Sequence, residues 1–420
     1  MQQQSNKLVL TTIVACLGGF LFGFDMAVVS GVLPLVQKQF GLTSFQEGWF
    51  VSSALVGCII GVLFSGTLSD RFGRKKTLFL SAFFFLLAAL GCTFLPGFFL
   101  IIMARISGGV AVGITSSVVP LYLSEIAPDN KRGRLVTFYQ LAITIGIFSA
   151  YLSNSLLQKL SVENIRTWRL MFGVGMLPAV LFLLGLTLIP ESPRWLKESP
   201  AITDDTGYKQ LFTPTLRRAL LIGILLPLFS QFSGINAIIY YGPTILLKAG
   251  ITLSNSLLSQ LFFGAANVLF TLIAIWKVDS LGRRPLYLWG TAGATISLIL
   301  TGICFYTGAT SGILLLLCVL SFLAFFAFSI GPLKFVIAAE IFPDSIRAKA
   351  LSLSILVMWI ADTIVGQLTP MLLHSLGIAE TFWFFALFCL LAFIAVYRLL
   401  PETKGKSLEQ IQSHWKNLVH

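Results

Sequence analysis

Charge is scarce in this 420-residue sequence: Asp, Glu, Lys and Arg together make up 11 % of it. A soluble domain carries about 25 %, so an ordinary water-exposed globule is excluded. Histidine is nearly absent, with three residues in the whole chain, two of them (His414 and His420) at the end. There is no Ser/His/Asp arrangement, zinc motif or phosphate-cradling glycine loop. Enzyme chemistry that depends on such constellations is therefore not expected, and neither is a cofactor. The six cysteines (Cys16, Cys58, Cys92, Cys304, Cys318 and Cys389) all fall inside apolar stretches. Their spacing fits neither a metal site nor a disulfide framework, so they read as packing residues.

What the chain does have is long apolar runs. Hydrophobic residues make up 56 % and mean hydropathy is +0.88. Twelve stretches reach the roughly twenty residues that cross a hydrocarbon layer: 8–30, 47–69, 77–95, 99–123, 134–157, 168–189, 218–247, 255–277, 285–307, 312–341, 346–373 and 380–400. The first is not expected to be a cleavable signal peptide, because only Lys7 precedes it and it contains Asp25. The expected fold is thus an all-α membrane protein of twelve transmembrane helices.

Basic residues orient it. With both termini in the cytoplasm, 22 of the 29 Lys and Arg lie in inside segments, five in or beside outside loops, and two (Arg105 and Lys334) within helices. That is the positive-inside pattern. It also accounts for the net charge of +12 without a nucleic-acid partner.

Three short cytoplasmic patterns occur twice, in the same order. Asp70-Arg71-Phe72-Gly73-Arg74 returns as Asp279-Ser280-Leu281-Gly282-Arg283, 209 residues on. Glu125 with Pro128-Asp129 returns as Glu340 with Pro343-Asp344, and Pro190-Glu191-Ser192 returns as Pro401-Glu402-Thr403, at offsets of 215 and 211. The chain therefore divides into a six-helix bundle at 1–189, a cytoplasmic linker at 190–217, a second six-helix bundle at 218–400 and a tail at 401–420. Parallel repeats of this kind place a substrate site where the halves meet. The tail holds a short helical pattern at Leu408, Ile411 and Trp415.

Intramembrane charges are costly. Asp25 and Arg105 each lie about 26 Å above the inner face when counted at 1.5 Å per residue, so they are expected to pair. The residues leave open a static pair or a proton switch. In a switch only the carboxylate titrates, because Arg keeps its charge. Lys334 and Asp362 differ in depth by roughly 15 Å on the same count, which argues against pairing unless the tenth helix breaks at Gly331-Pro332. Snorkelling of Lys334 towards the inner surface or a place in a cavity are the other readings.

The seventh run carries Ser230-Gln231-Phe232-Ser233-Gly234-Ile235-Asn236 and Tyr240-Tyr241-Gly242-Pro243. Its Gly and Pro residues predict a broken helix lining a cavity. With Gln140 and Asn267, its amides offer donors and acceptors to a polar, uncharged ligand. At the inner helix ends, Asp70, Arg71, Arg74, Glu125, Arg134, Asp279, Arg283, Arg284, Glu340 and Arg347 are expected to form ion pairs joining the halves as a cytoplasmic gate.

Several of these stretches resemble the sugar porters of the major facilitator superfamily. They are Gly18-Gly19-Phe20-Leu21-Phe22-Gly23-Phe24-Asp25, Arg105-Ile106-Ser107-Gly108-Gly109, Pro190-Glu191-Ser192-Pro193-Arg194, Gln231-Phe232-Ser233-Gly234-Ile235-Asn236 and Pro401-Glu402-Thr403-Lys404-Gly405. The resemblance covers nearly the whole chain. It implies a proton-coupled symporter for a hexose, pentose or polyol, working by alternating access in a bacterial plasma (inner) membrane. Asp25 and Arg105 would be the coupling pair. Phe22, Gln140, Gln231, Asn236, Tyr240, Asn267 and Trp359 would contact the sugar. A facilitative uniporter, or a membrane sugar sensor that does not transport, is the alternative. The implied partners are sugar or polyol, a proton and the lipid bilayer, with the chain acting as a monomer. Departures from the family pattern are Ser230 before Gln231, Lys334 and Phe335 after Gly331-Pro332, Met358 before Trp359, and a short linker. A polyol, pentose, deoxy sugar or sugar acid would be compatible with them.

Overall fold

The computed structural model describes residues 2–128, 132–160, 166–197, 212–213, 216–248, 250–309, 313–342 and 344–402. The tail pattern at 408–415 and residues 198–211 of the linker lie outside them. Among the described residues every regular element is helical, and twelve helical stretches are long and apolar enough to cross a membrane. Each coincides with one of the twelve apolar runs.

The first five spans are single helices: α1 (Gln2–Phe40), α2 (Ser44–Phe72), α3 (Arg74–Phe94), α4 (Phe98–Ile126) and α5 (Arg132–Leu160). The sixth span is α6 (Thr167–Gly173) followed by α7 (Met176–Leu188), and α8 (Pro193–Lys197) opens the linker. The second half holds α9 (Arg217–Phe232), α10 (Ile235–Lys248), α11 (Leu253–Leu281), α12 (Arg283–Tyr306), α13 (Ile313–Phe325), α14 (Gly331–Ile341), α15 (Asp344–Ser375) and α16 (Ile378–Leu399). Helices overrun their apolar windows because backbone bonding inside a helix is as complete in water as in lipid. The 39-residue α1 would be about 58 Å long, roughly twice a hydrocarbon core. Local sequence marks some ends: Thr43 and Gln46 form a reciprocal capping box before α2.

The residues pack as two compact units. One comprises Met1–Ile202 with Ile239–Val268 and Gly366–Met371; the other comprises Thr203–Ile238, Leu269–Val365 and Leu372–His420. In the first unit, missing side chains let helices touch backbone to backbone. A Cβ on Gly57 would strike the Ile106 carbonyl in the α2–α4 contact, and one on Gly109 would strike that of Ala54. Gly23 and Gly146 play the same part between α1 and α5, against Ile143 and Phe20. Small residues are the usual means of close helix packing in lipid, where no hydrophobic force favours one apolar contact over another.

Two spans of the second half are interrupted. The seventh breaks between α9 and α10 at Ser233-Gly234, where Gly234 takes φ +84° and a side chain would run into the Phe385 ring. The predicted weakening at Gly242 and Pro243 does not occur, since α10 continues through both to Lys248. The reason is a substitute donor. Pro243 has no N–H for the carbonyl of Ile239, four residues back, and the Tyr151 hydroxyl donates to that oxygen at 3.3 Å. Pro370 likewise leaves Gly366 without its partner, and the Tyr241 hydroxyl donates there. In the second unit Pro227 leaves Gly223, and Ser354 Oγ donates to it at 2.8 Å. At these three prolines a side chain from a neighbouring helix thus supplies the missing donor. The tenth span carries a π turn, Phe326–Ile330, between α13 and α14, directly before Gly331-Pro332.

Candidate functional site

In the first unit α1 and α4 bring Asp25 and Arg105 together, as the depth count requires. An Arg105 guanidinium nitrogen stands 3.4 Å from Asp25 Oδ2 and 3.4 Å from the Asp25 carbonyl oxygen. The guanidinium lies over the faces of Phe50 and Phe172, at 5.9 and 5.6 Å from the ring centroids. The Arg105 side chain is 2 % exposed and that of Asp25 16 %. Gly108, one turn along α4, makes room for the carboxylate, since a Cβ there would lie 3.3 Å from both of its oxygens. Arg105 Nε is buried with no hydrogen-bond partner among the described residues. The carboxylate thus makes one long contact with the edge of the guanidinium in place of a two-bond fork.

Of the expected sugar contacts, Phe22, Gln140, Tyr240 and Asn267 belong to this same unit. Tyr240 is buried, its hydroxyl 3.8 Å from Met26 Sδ beside Asp25. Gln140 and Asn267 are half-buried and make no side-chain hydrogen bond to another described residue.

Gln231, Asn236 and Trp359 belong to the second unit. The break at Ser233-Gly234 turns Asn236 back towards the end of α9, where its Nδ2 donates to Gln231 Oε1 at 2.8 Å. The same nitrogen donates to Asp362 Oδ1 at 2.7 Å. Trp359 is 1 % exposed, three residues before Asp362 on α15. Lys334 does not snorkel. It is 8 % exposed, its Nζ donates to Ser230 Oγ at 3.0 Å, and the Asp362 charge acts on it. The depth count argues against a direct Lys334–Asp362 contact and says nothing of a link through other residues. Ser230 and Asn236 are six residues apart, about 9 Å along the seventh span, and that segment carries the connection from the level of Lys334 to that of Asp362. Asp362, 2 % exposed, is a polar anchor that sequence reasoning weighed only as a partner for Lys334.

The repeated patterns build one device twice. Arg74 forks onto Glu125 (Nε to Oε2 3.0 Å, Nη2 to Oε1 2.9 Å) and also reaches Asp70 at 3.0 Å. Ser192 Oγ donates to the same Glu125, and Glu191 Oε1 accepts from the backbone N–H groups of Arg74 and Lys75 at 3.0 and 3.1 Å. In the second half Arg283 meets Glu340 at 3.0 Å, while Glu402 accepts from the N–H groups of Arg283 and Arg284 at 3.1 Å each. A carboxylate thus caps the N-terminus of α3 and of α12, where free N–H groups and the helix dipole favour an anion. The preceding glycines, Gly73 at φ +94° and Gly282 at φ +88°, turn the chain so that those N–H groups point outward. The described pairs Arg74–Asp70, Arg74–Glu125 and Arg283–Glu340 each lie within one repeat. Arg71 lies over the Phe72 ring, and Arg284 donates to the Tyr397 carbonyl. The side chains of Arg134, Asp279 and Arg347 lie outside the described residues. Glu191 and Glu402 were visible only as letters of a repeat; their position after the sixth and twelfth spans was the signal.

A family model described as "Sugar (and other) transporter" matches residues 11–207 and 197–415. The chain is 38 % identical over 440 residues to the arabinose-proton symporter of Bacillus subtilis, covering 97 % of this chain and 95 % of that one. It is 37 % identical to the glucose transporter GlcP of Staphylococcus epidermidis, covering 97 % of each. The inward open conformation of the xylose transporter XylE from E. coli superposes with a TM-score of 0.85 at 34 % identity, over 97 % of this chain and 100 % of that one.

Proposed function

The chain belongs to the sugar transporter family of the major facilitator superfamily, and from that premise we propose that it is a proton-coupled sugar symporter working by alternating access. The observation that carries the reading is the Asp25–Arg105 pair: a buried arginine that cannot lose its charge, touched at one point by a carboxylate that can. A proton added to Asp25 removes the negative partner of Arg105. The two then have less reason to stay together, and α1 and α4 can rearrange with sugar bound. Relatives named for arabinose–proton symport and for glucose and xylose transport support a neutral monosaccharide as cargo.

The second-half network supports the same class. Lys334 would draw a sugar acid if its charge stood alone, but Asp362 balances it. Gln231 and Asn236, with Phe22, Gln140, Tyr240, Asn267 and Trp359, are the groups proposed to hold the sugar. The bundles at 1–189 and 218–400, with both termini cytoplasmic, a monomeric state and a place in the bacterial plasma membrane, complete the proposal. The Arg74–Glu125 and Arg283–Glu340 clusters would stiffen the inner helix ends, and with Arg71, Arg134, Arg284, Asp279 and Arg347 form the cytoplasmic gate. Reconstituted in liposomes, the protein should take up arabinose, xylose or glucose faster when the outside is acid than when no gradient exists. Equal uptake in both conditions would make it a uniporter.

A further inference from the structure

Asn236 is the junction of the second-half network, and its neighbours dictate which way its amide points. An ionised carboxylate has no proton to give, so Asp362 Oδ1, 2.7 Å away, can only accept. Asn236 must therefore turn its Nδ2 towards it. The same Nδ2 donates to Gln231 Oε1 at 2.8 Å. An amide nitrogen carries two hydrogens, and both are now committed. What Asn236 has left is Oδ1, an acceptor; what Gln231 has left is Nε2, a donor. Neither bonds another described residue, and neither is among the sealed polar atoms of the interior. Asn236 is half-buried while Asp362 is almost wholly buried, so a ligand reaches the amide and not the carboxylate behind it.

We infer that Asp362, with Lys334 as its counter-charge, is a specificity-determining positioning residue: it sets the direction of the Gln231–Asn236 pair, so that the sugar must give a hydroxyl hydrogen to Asn236 and a hydroxyl oxygen to Gln231. The inference rests on the proposed function, in which these two amides touch the sugar. A neutral amide in place of Asp362 would accept or donate equally well and leave Asn236 able to turn over. The carboxylate removes that choice. Lys334, tied to Ser230 one residue before Gln231, lets the charge sit there without making the site acidic.

Fluorine separates the two roles, because a C–F group accepts weakly and cannot donate. The full chain in liposomes is assayed with arabinose, xylose and glucose. The sugar transported at the lowest half-saturation is then challenged with its single-position deoxy and deoxyfluoro analogues as competitors. At the position facing Asn236, deoxy and deoxyfluoro analogues should be equally poor, at least five-fold weaker than the parent. At the position facing Gln231 the deoxyfluoro analogue should outperform the deoxy one. In Asp362→Asn the first penalty for fluorine should shrink below two-fold. Because that variant leaves Lys334 unbalanced, Lys334→Met/Asp362→Asn provides the same reading in a neutral network. Uniformly weaker binding with the fluorine pattern unchanged in both variants would overturn the inference and leave Asp362 as scaffold. A flat pattern in the wild type would overturn it too while sparing the symporter. Uptake of none of the three sugars would overturn the proposed function and this inference with it.

Discussion

The Tyr241 hydroxyl donates to the backbone carbonyl of Gly366, the oxygen that Pro370 leaves without a helical N–H. The bond lets a proline sit inside α15 without opening it, and it ties α10 to α15 by one atom. Tyr241→Phe keeps the ring and removes the donor, leaving a buried carbonyl unmet at a cost of about 1–3 kcal/mol. The variant should melt at a lower temperature in detergent, with its sugar half-saturation unchanged. Tyr151→Phe, whose bond to Ile239 is longer at 3.3 Å, should lose less. Equal melting of Tyr241→Phe and wild type would show that the carbonyl finds water instead.

Gly73 and Gly282 hold equivalent turns, yet they should not tolerate alanine equally. Both combine positive φ with extended ψ, a region essentially confined to glycine, where a Cβ costs on the order of 1–3 kcal/mol. At Gly73 the added atom also runs into the Glu191 carboxylate, while at Gly282 it stops 3.1 Å from that of Glu402. Gly73→Ala should therefore reduce the yield of folded protein more than Gly282→Ala, measured by fluorescence-detected size exclusion. The reverse order would mean that Glu191 moves aside freely.

Much of this could be read from the letters. Twelve apolar runs gave twelve spans because only helices satisfy their own backbone in lipid. The Asp25–Arg105 contact followed from counting turns, since both helices are continuous between the inner face and the pair. The break at Gly234 was legible for a similar reason: glycine beside polar residues at membrane depth has few other uses. Snorkelling is the reading of Lys334 that the structure overturns, because depth counting treats two residues only as meeting or not meeting. It has no place for Ser230, Gln231 and Asn236 as intermediate steps. Prolines misled in the opposite direction. Pro243 reads as a breaker until Tyr151, 92 residues earlier in the chain, is known to stand beside it. The repeated acids were legible as a pattern, but not that Glu191 and Glu402 would cap the helices after Gly73 and Gly282, which depends on how the sixth and twelfth spans return to those turns.

Lys334 and Asp362 should behave as a unit. Removing one partner of a buried pair strands the other charge and typically costs 3–5 kcal/mol, whereas removing both is far less harmful. Lys334→Met and Asp362→Asn should each lower the melting temperature markedly, and the double variant should recover most of the loss. Simple additivity in this cycle would mean that the two charges are independently solvated.

The proton reading stands on Asp25. A potential of 100 mV is worth about 2.3 kcal/mol per charge moved, so one proton per sugar could support roughly fifty-fold accumulation. Asp25→Asn keeps the size of the side chain and an oxygen for Arg105, and removes the group that can gain and lose a proton. Transport needs the carboxylate to be loaded from outside, so wild-type uptake should fall as the outside is made alkaline, and Asp25→Asn uptake should not change with pH. The variant should still exchange labelled for unlabelled sugar across liposomes, because the Gln231–Asn236–Asp362 network is untouched. It should not accumulate sugar above the outside concentration, and adding sugar should no longer draw protons from a weakly buffered medium. Arg105→Lys is the complementary case: the charge stays but the flat contact with Phe50 and Phe172 goes, so it should lose stability as well as coupling. Sugar-driven alkalinisation of the medium that persists in Asp25→Asn would reduce the pair to a brace between α1 and α4 and move the proton to another group.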